Sequence, residues 1–91
     1  MGIALIKIKL MPTSPEIDLE ELKADITKII EKNKGKRIRF EEQPIAFGLK
    51  AIIAGFEQDE TEGKLDPIES ALNNLENVSS VQIIDMRRAF G

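Results

Sequence analysis

Side chains able to do covalent chemistry are scarce in this sequence. Among its 91 residues there is no cysteine and no histidine. Disulfides, thiolate nucleophiles, zinc centres and imidazole-based triads are therefore effectively excluded. Carboxylates are plentiful, but the conspicuous pairs stand at helix starts. Asp18-Leu19-Glu20-Glu21 and Asp66-Pro67-Ile68-Glu69 both have capping-box spacing, so Asp18, Glu21, Asp66 and Glu69 read as structural. Gly48, Gly55 and Gly63 are scattered rather than gathered into a phosphate-cradling loop. A carboxylate site for magnesium or calcium has no loop signature. No catalytic residue, metal site or cofactor is expected.

Non-covalent tools remain. The segment EEQPIAFGLKA, Glu41 to Ala51, places Ile45 and Phe47 between Pro44 and Gly48, in what should be a polar turn. Such an oily tip either folds back as a lid on the core or meets a partner. Arg87 and Arg88 stand near the end of the sequence, and Lys7, Lys9, Arg37, Arg39 and Lys50 recur in strand-like runs. Cations of this kind either solvate a sheet face or form a local positive patch.

Composition narrows the setting. A chain of 91 residues favours one domain, here the whole of 1–91, with a single small core. Apolar residues make up 42% and charged residues 32%, as in an ordinary globular domain. A net charge of -3 argues against a dedicated nucleic-acid binder. The apolar start, Met1 to Leu10, is interrupted by Lys7 and Lys9 and is too short for a membrane span or signal peptide. A cytoplasmic protein with no membrane partner is expected.

The elements that position these residues follow from periodicity. Ile3 to Leu10 alternates, with Ala4, Ile6, Ile8 and Leu10 on one face, and the prolines of Met11 to Pro15 should end the strand. A helix is predicted from 18 to about 33, with Leu19, Leu22, Ile26, Ile29 and Ile30 inward and Gly35 as its stop. Arg37 to Glu42 and Leu49 to Glu57 read as strands flanking the tip. Gln58 to Lys64 reads as an acidic loop. A second helix should start with Asp66 as cap and Pro67 as first residue, carry Ile68, Ala71, Leu72 and Leu75 inward, and end by Asn77. Val81 to Met86 is the last strand, leaving Arg87 to Gly91 as a tail.

The order strand, helix, strand, strand, helix, strand gives an α+β, ferredoxin-like βαββαβ fold. Right-handed crossovers put both helices on one face of a four-stranded antiparallel sheet. Ile6, Ile8, Ile38, Phe40, Ile53, Val81 and Ile83 are assigned to the covered face. Ile3, Leu5, Ile52, Phe56, Ile84 and Met86 fall to the open face, as ordinary apolar surface or as a contact surface. The fold alone serves enzymes, RNA binders, ligand sensors and interaction modules. Base stacking by an RNA-recognition domain would need aromatics on the central strands, and the basic-aromatic consensus is missing.

Three segments in order carry a resemblance. Pro44-Ile45-Ala46-Phe47-Gly48-Leu49 resembles the loop of the elongation factor 1-beta family, the nucleotide-exchange factors for elongation factor 1-alpha. The start, IKLMPTSPEIDLEELK, and the ending, VSSVQIIDMRRAFG, resemble the archaeal branch of that family. The resemblance covers essentially the whole chain and implies the same ferredoxin-like fold. It implies binding to elongation factor 1-alpha in its GDP-bound and nucleotide-free forms, and faster GDP release. It further implies that Pro44, Ile45, Phe47 and Gly48 form a docking tip. In eukaryotic relatives a lysine near the C-terminus acts at the partner's magnesium site; aligning Ser80-Val81 puts Arg88 in its place, with Arg87 beside it. A small RNA-binding or ligand-binding regulatory domain is the alternative.

Overall fold

The alternation at the start becomes β1, Ile3–Pro12, in which Ile6, Ile8 and Leu10 are buried. The computed structural model describes residues 2–59 and 65–90. Of the acidic loop expected over Gln58 to Lys64, Gln58 and Asp59 instead belong to a strand paired with β1, and the remainder lies outside the described residues. β1 runs two residues beyond its expected end at Leu10. Its pairing with β3 (Lys50–Asp59) stops at Leu10, while its pairing with β4 (Val78–Phe90) continues to Pro12 opposite Val78. Proline is tolerated there because the side it would have served in β3 is already unpaired.

Helix α1 spans Leu19–Lys32. The Asp18 carboxylate accepts the backbone N–H groups of Glu20 and Glu21 at 3.0 and 3.4 Å, as a helix cap should. The reciprocal bond expected from Glu21 is absent among the described residues, and Glu21 is exposed. Leu22, Ile26 and Ile30 are fully buried. At the other end, Lys34 has a left-handed φ of 69°. The Gly35 N–H donates to the Ile30 carbonyl at 2.8 Å, and the Lys34 N–H donates to the Glu31 carbonyl at 3.0 Å. Those two bonds make a Schellman motif. The glycine expected to stop the helix is thus one position beyond the left-handed residue. Its role is steric: a Cβ on Gly35 would lie 2.2 Å from Ile30 Cγ2.

β2, Lys36–Pro44, pairs antiparallel with β3, and a register irregularity between Lys36 and Arg39 accommodates Arg37 at φ 54°. Helix α2 spans Leu65–Asn73. It begins before Asp66 and Pro67, which therefore occupy its first turn instead of the cap and first position. Proline fits there because first-turn N–H groups have no partner within the helix. α2 ends four residues short of Asn77, although Leu75 still packs on the core. β4 absorbs the segment expected to be a tail, so Arg87 and Arg88 lie within a paired strand.

The sheet order is β2-β3-β1-β4 with every neighbouring pair antiparallel. Ile26 and Ile30 of α1 and Ile68 and Leu72 of α2 join one core with the inner side chains of β1 and β3. Both helices therefore cover the same face, which is the ferredoxin-like arrangement. The expected facing of β3 is reversed. Ile52, Ala54 and Phe56 are buried opposite Leu10, Ile8 and Ile6, while Ile53 is half-buried on the other face. The run AIIAGF is apolar in both phases, so alternation could not decide it. The phase expected from sequence would have turned Gly55 and Glu57 inward, leaving a void and a buried carboxylate. On the open side, Leu5 is 40% exposed. Ile84 is exposed at a bulge in β4. Met86, expected on the open face, pairs with Ile6 and so lies on the helix-covered side, exposed because β4 is the edge strand. Among the described residues, no helix is long and apolar enough to cross a membrane.

The Gly35 contact yields a paired expectation. Gly35→Ala should destabilise the fold by roughly 1–3 kcal/mol, the usual range for an overpacked core. Lys34→Gly should be neutral or stabilising, because it relieves a left-handed side chain. Thermal unfolding checks both; an unchanged melting temperature for Gly35→Ala would contradict the steric role.

Candidate functional site

The tip between β2 and β3 is closed by two backbone hydrogen bonds. The Ile45 N–H donates to the Leu49 carbonyl and the Leu49 N–H to the Ala46 carbonyl, both at 2.9 Å. The two residues between Ala46 and Leu49 have positive φ, 56° for Phe47 and 78° for Gly48. Consecutive positive φ values are those of a type I′ hairpin turn. Gly48 suits its place. Phe47 does not: the first central position favours Asn, Asp or Gly, and a left-handed side chain costs about 1–2 kcal/mol.

Burial does not explain that cost. Phe47 is 98% exposed and Ile45 42%. The lid reading of Phe47 is therefore overturned, since its ring covers no core. Pro44 pairs with Lys50 at the base of the turn. Gly48 lies beside Pro15, close enough that an added Cβ would stand 3.8 Å from the proline ring. The end of β2 is tied to α1 through Glu42, which accepts a hydrogen bond from Lys23 Nζ at 2.8 Å and has Lys50 Nζ at 3.9 Å. The Lys23 bond holds the Glu42 carboxyl below the usual range and, reciprocally, raises the Lys23 ammonium above its usual value. An exposed apolar side chain thus sits on a closed, anchored turn.

Arg87 and Arg88 lie at the other end of the sheet. Arg87 is opposite Leu5 and Arg88 opposite Ala4. Arg87 Nε lies 3.1 Å from an Asp85 carboxylate oxygen, and Arg87 lines the open face. Arg88, the next residue in the strand, is exposed on the opposite side. Five residues separate Leu5 from Leu10, and two more separate its partner Ile52 from Lys50. The arginines therefore stand roughly 23 Å along the strands from Lys50, at the base of the tip, at 3.3 Å per residue. The structure brings Pro44, Ile45, Phe47 and Gly48 together and keeps Arg87 and Arg88 apart from them.

The positive patch expected from Lys7, Lys9, Arg37, Arg39 and Lys50 is rearranged. Lys7, Arg37 and Arg39 gather on the open face with Arg87, while Lys50 belongs to the base of the tip. Alternation signalled the first three, but Arg87 joined them only because β4 continues past Met86. Phe40 and Phe56 pack with the core and Phe47 caps the hairpin. Among the described side chains, the open face holds no aromatic on which a base could stack.

A sequence profile described as the EF-1 guanine nucleotide exchange domain matches residues 5–89. The chain belongs to this family. Its role is guanine nucleotide exchange. A protein named elongation factor 1-beta from Methanococcus maripaludis is 43% identical over 86 residues, covering 94% of this chain and 97% of the relative. Its namesake from Methanocaldococcus jannaschii is 42% identical over 89 residues, covering 98% and 100%. That from Methanosphaera stadtmanae is 46% identical over 81 residues, covering 89% and 90%. The ferredoxin-like fold and the archaeal resemblance read from sequence agree with this membership.

The geometry of the tip makes a stability prediction. Phe47→Gly removes a left-handed side chain that buries nothing, so the melting temperature should stay level or rise. A clear fall in thermal unfolding would show that the ring supports the fold after all.

Proposed function

We propose that this chain acts as a single exchange domain over residues 1–91, binding elongation factor 1-alpha in its GDP-bound form and hastening GDP release to the nucleotide-free form. The observation that carries the mechanism is Phe47: nearly all of its ring faces solvent, on a turn that disfavours it. A side chain kept in that position at a conformational cost is accounted for by a contact made outside the molecule. Pro44, Ile45 and Gly48 shape and border the same tip.

Exchange makes and breaks no covalent bond, so the protein need not be an enzyme in the chemical sense. A G protein holds GDP through phosphate contacts and a bridging magnesium ion. The factor has only to prefer the empty partner. The fold-loss in GDP affinity then equals the fold-preference for the nucleotide-free form. Each tenfold requires about 1.4 kcal/mol of differential contact, so two or three such steps suffice.

Two contact points at opposite ends of the sheet allow the tip to grip while a cation works at the nucleotide site. Arg88 is assigned to the partner's magnesium ligands, where a cation competes with the metal. Arg87 faces the other side of the sheet, so it is not equivalent. The chain needs no cofactor of its own. It works in the cytoplasm, where translation proceeds. Direct, specific nucleic-acid binding is not part of this role, given the net charge of -3 and the lack of a stacking platform among the described side chains.

Stopped-flow release of fluorescent GDP from elongation factor 1-alpha tests these assignments. Phe47→Gly should raise the factor concentration needed for half-maximal release by roughly tenfold or more, as for an aromatic contact residue. Arg88→Ala should leave that concentration nearly unchanged but lower the maximal rate, and chelating magnesium should partly restore it. Arg87→Ala should have the smaller effect on the maximal rate. Wild-type behaviour of all three across the magnesium range would overturn the residue assignments.

A further inference from the structure

One row across the open face reads Arg39, Gly55, Lys7, Asp85, from β2 to β4. It crosses a depression of about 360 Å³. Of the four cations lining the depression, Arg37 is 3.5 Å from Glu57 and Arg87 is 3.1 Å from Asp85. Lys7 and Arg39 have no ion-pair partner among the described residues. Four cations against two carboxylates leave the depression at +2, on a chain whose net charge is -3.

Gly55 forms the floor between the two unpaired cations. Its backbone is not in the left-handed region, and an added Cβ would lie 3.9 Å from its nearest neighbours, the Ile6 carbonyl oxygen and Lys7 Cγ. Neither conformation nor packing therefore demands glycine. Yet glycine inside a strand costs about 0.5–1 kcal/mol relative to alanine. Its recurrent use in such a place is to let another backbone or a ligand approach closely. Lys7 and Arg39 arise about 10 Å apart, two interstrand spacings, which leaves a passage over Gly55.

We infer that this notch docks an acidic segment of the exchange partner, with a carboxylate held between Lys7 and Arg39 and the segment's backbone lying against Gly55. The inference rests on the exchange role and adds a third contact to it, between the tip and the arginine end. Charge complementarity selects the occupant. Nucleic acid would meet no aromatic among the described side chains of this face, and a second copy meeting it notch to notch would bring like charge against like charge.

The test uses the full chain, elongation factor 1-alpha loaded with fluorescent GDP, and two variants. Lys7→Gln/Arg39→Gln removes the charges, and Gly55→Val fills the floor with a residue that favours strands. Both should keep the unmodified chain's melting temperature or exceed it. Both should raise the concentration for half-maximal release roughly tenfold while the rate at saturation stays level. The deficit of the charge variant should shrink as salt rises, and that of Gly55→Val should not. If the unmodified chain accelerates release and both variants half-saturate alongside it, the docking inference falls and the exchange role stands. A lower saturating rate with unchanged half-saturation would also overturn it, as would loss in the variants of a single-stranded RNA complex or of self-association instead of partner binding. No acceleration by the unmodified chain would overturn the exchange role and this inference together.

Discussion

The pairing of β1 with β3 sets every other feature of this molecule. Ile6, Ile8 and Leu10 meet Phe56, Ala54 and Ile52, and that apolar block is where α1 and α2 bury their own stripes. Sheet pairing has a strict period of two, so a slip of one residue would turn three of these six side chains, those of the slipping strand, to the wrong face. With the register set this way, Glu57 and Gly55 must face outward, Lys7 and Arg39 must flank the glycine, and the hairpin must project beyond Leu10. Much of the placement of candidate contact residues is a consequence of how the core closes.

That division explains how the chain tolerates local conflict. Phe47 occupies a turn position that disfavours it, and Lys34 and Arg37 also adopt left-handed backbone. Each departure costs of order a kcal/mol and lies where the neighbouring pairing determines the path. Lys34 belongs to a Schellman motif and Arg37 to a register irregularity, so both have structural reasons. Phe47 takes its backbone from the type I′ turn, but nothing it packs against inside the molecule accounts for an aromatic at that place. All three are exposed, but only Phe47 leaves an apolar side chain in water. A protein that promotes exchange by contact alone has to keep such a side chain out of its own core.

The order of elements, the Asp18 cap, the α1 stripe and the oily tip were all legible in the sequence, because each rests on local spacing. What was not legible depends on pairing. AIIAGF is apolar in both phases, so only its partner strands could show that Phe56 is inside and Ile53 outside. Arg87 and Arg88 resembled a basic tail because charge at a chain end looks solvated; β1 turns the same residues into strand by supplying Leu5 and Ala4 as partners. The role of Gly35 was misread for a similar reason. Its proximity to the helix end suggested left-handed backbone, whereas the demand comes from Ile30 crowding its Cα. Family membership supplied the partner's identity, which no spacing of residues contains.

The central claim is thermodynamic: the chain loosens GDP because it prefers the partner without it. Calorimetric titration of the chain into elongation factor 1-alpha, once loaded with GDP and once stripped of nucleotide, measures that preference directly. The account predicts at least about 100-fold tighter binding to the stripped form, matched by an equal loss of GDP affinity in the complex. Equal affinity for the two forms would contradict it.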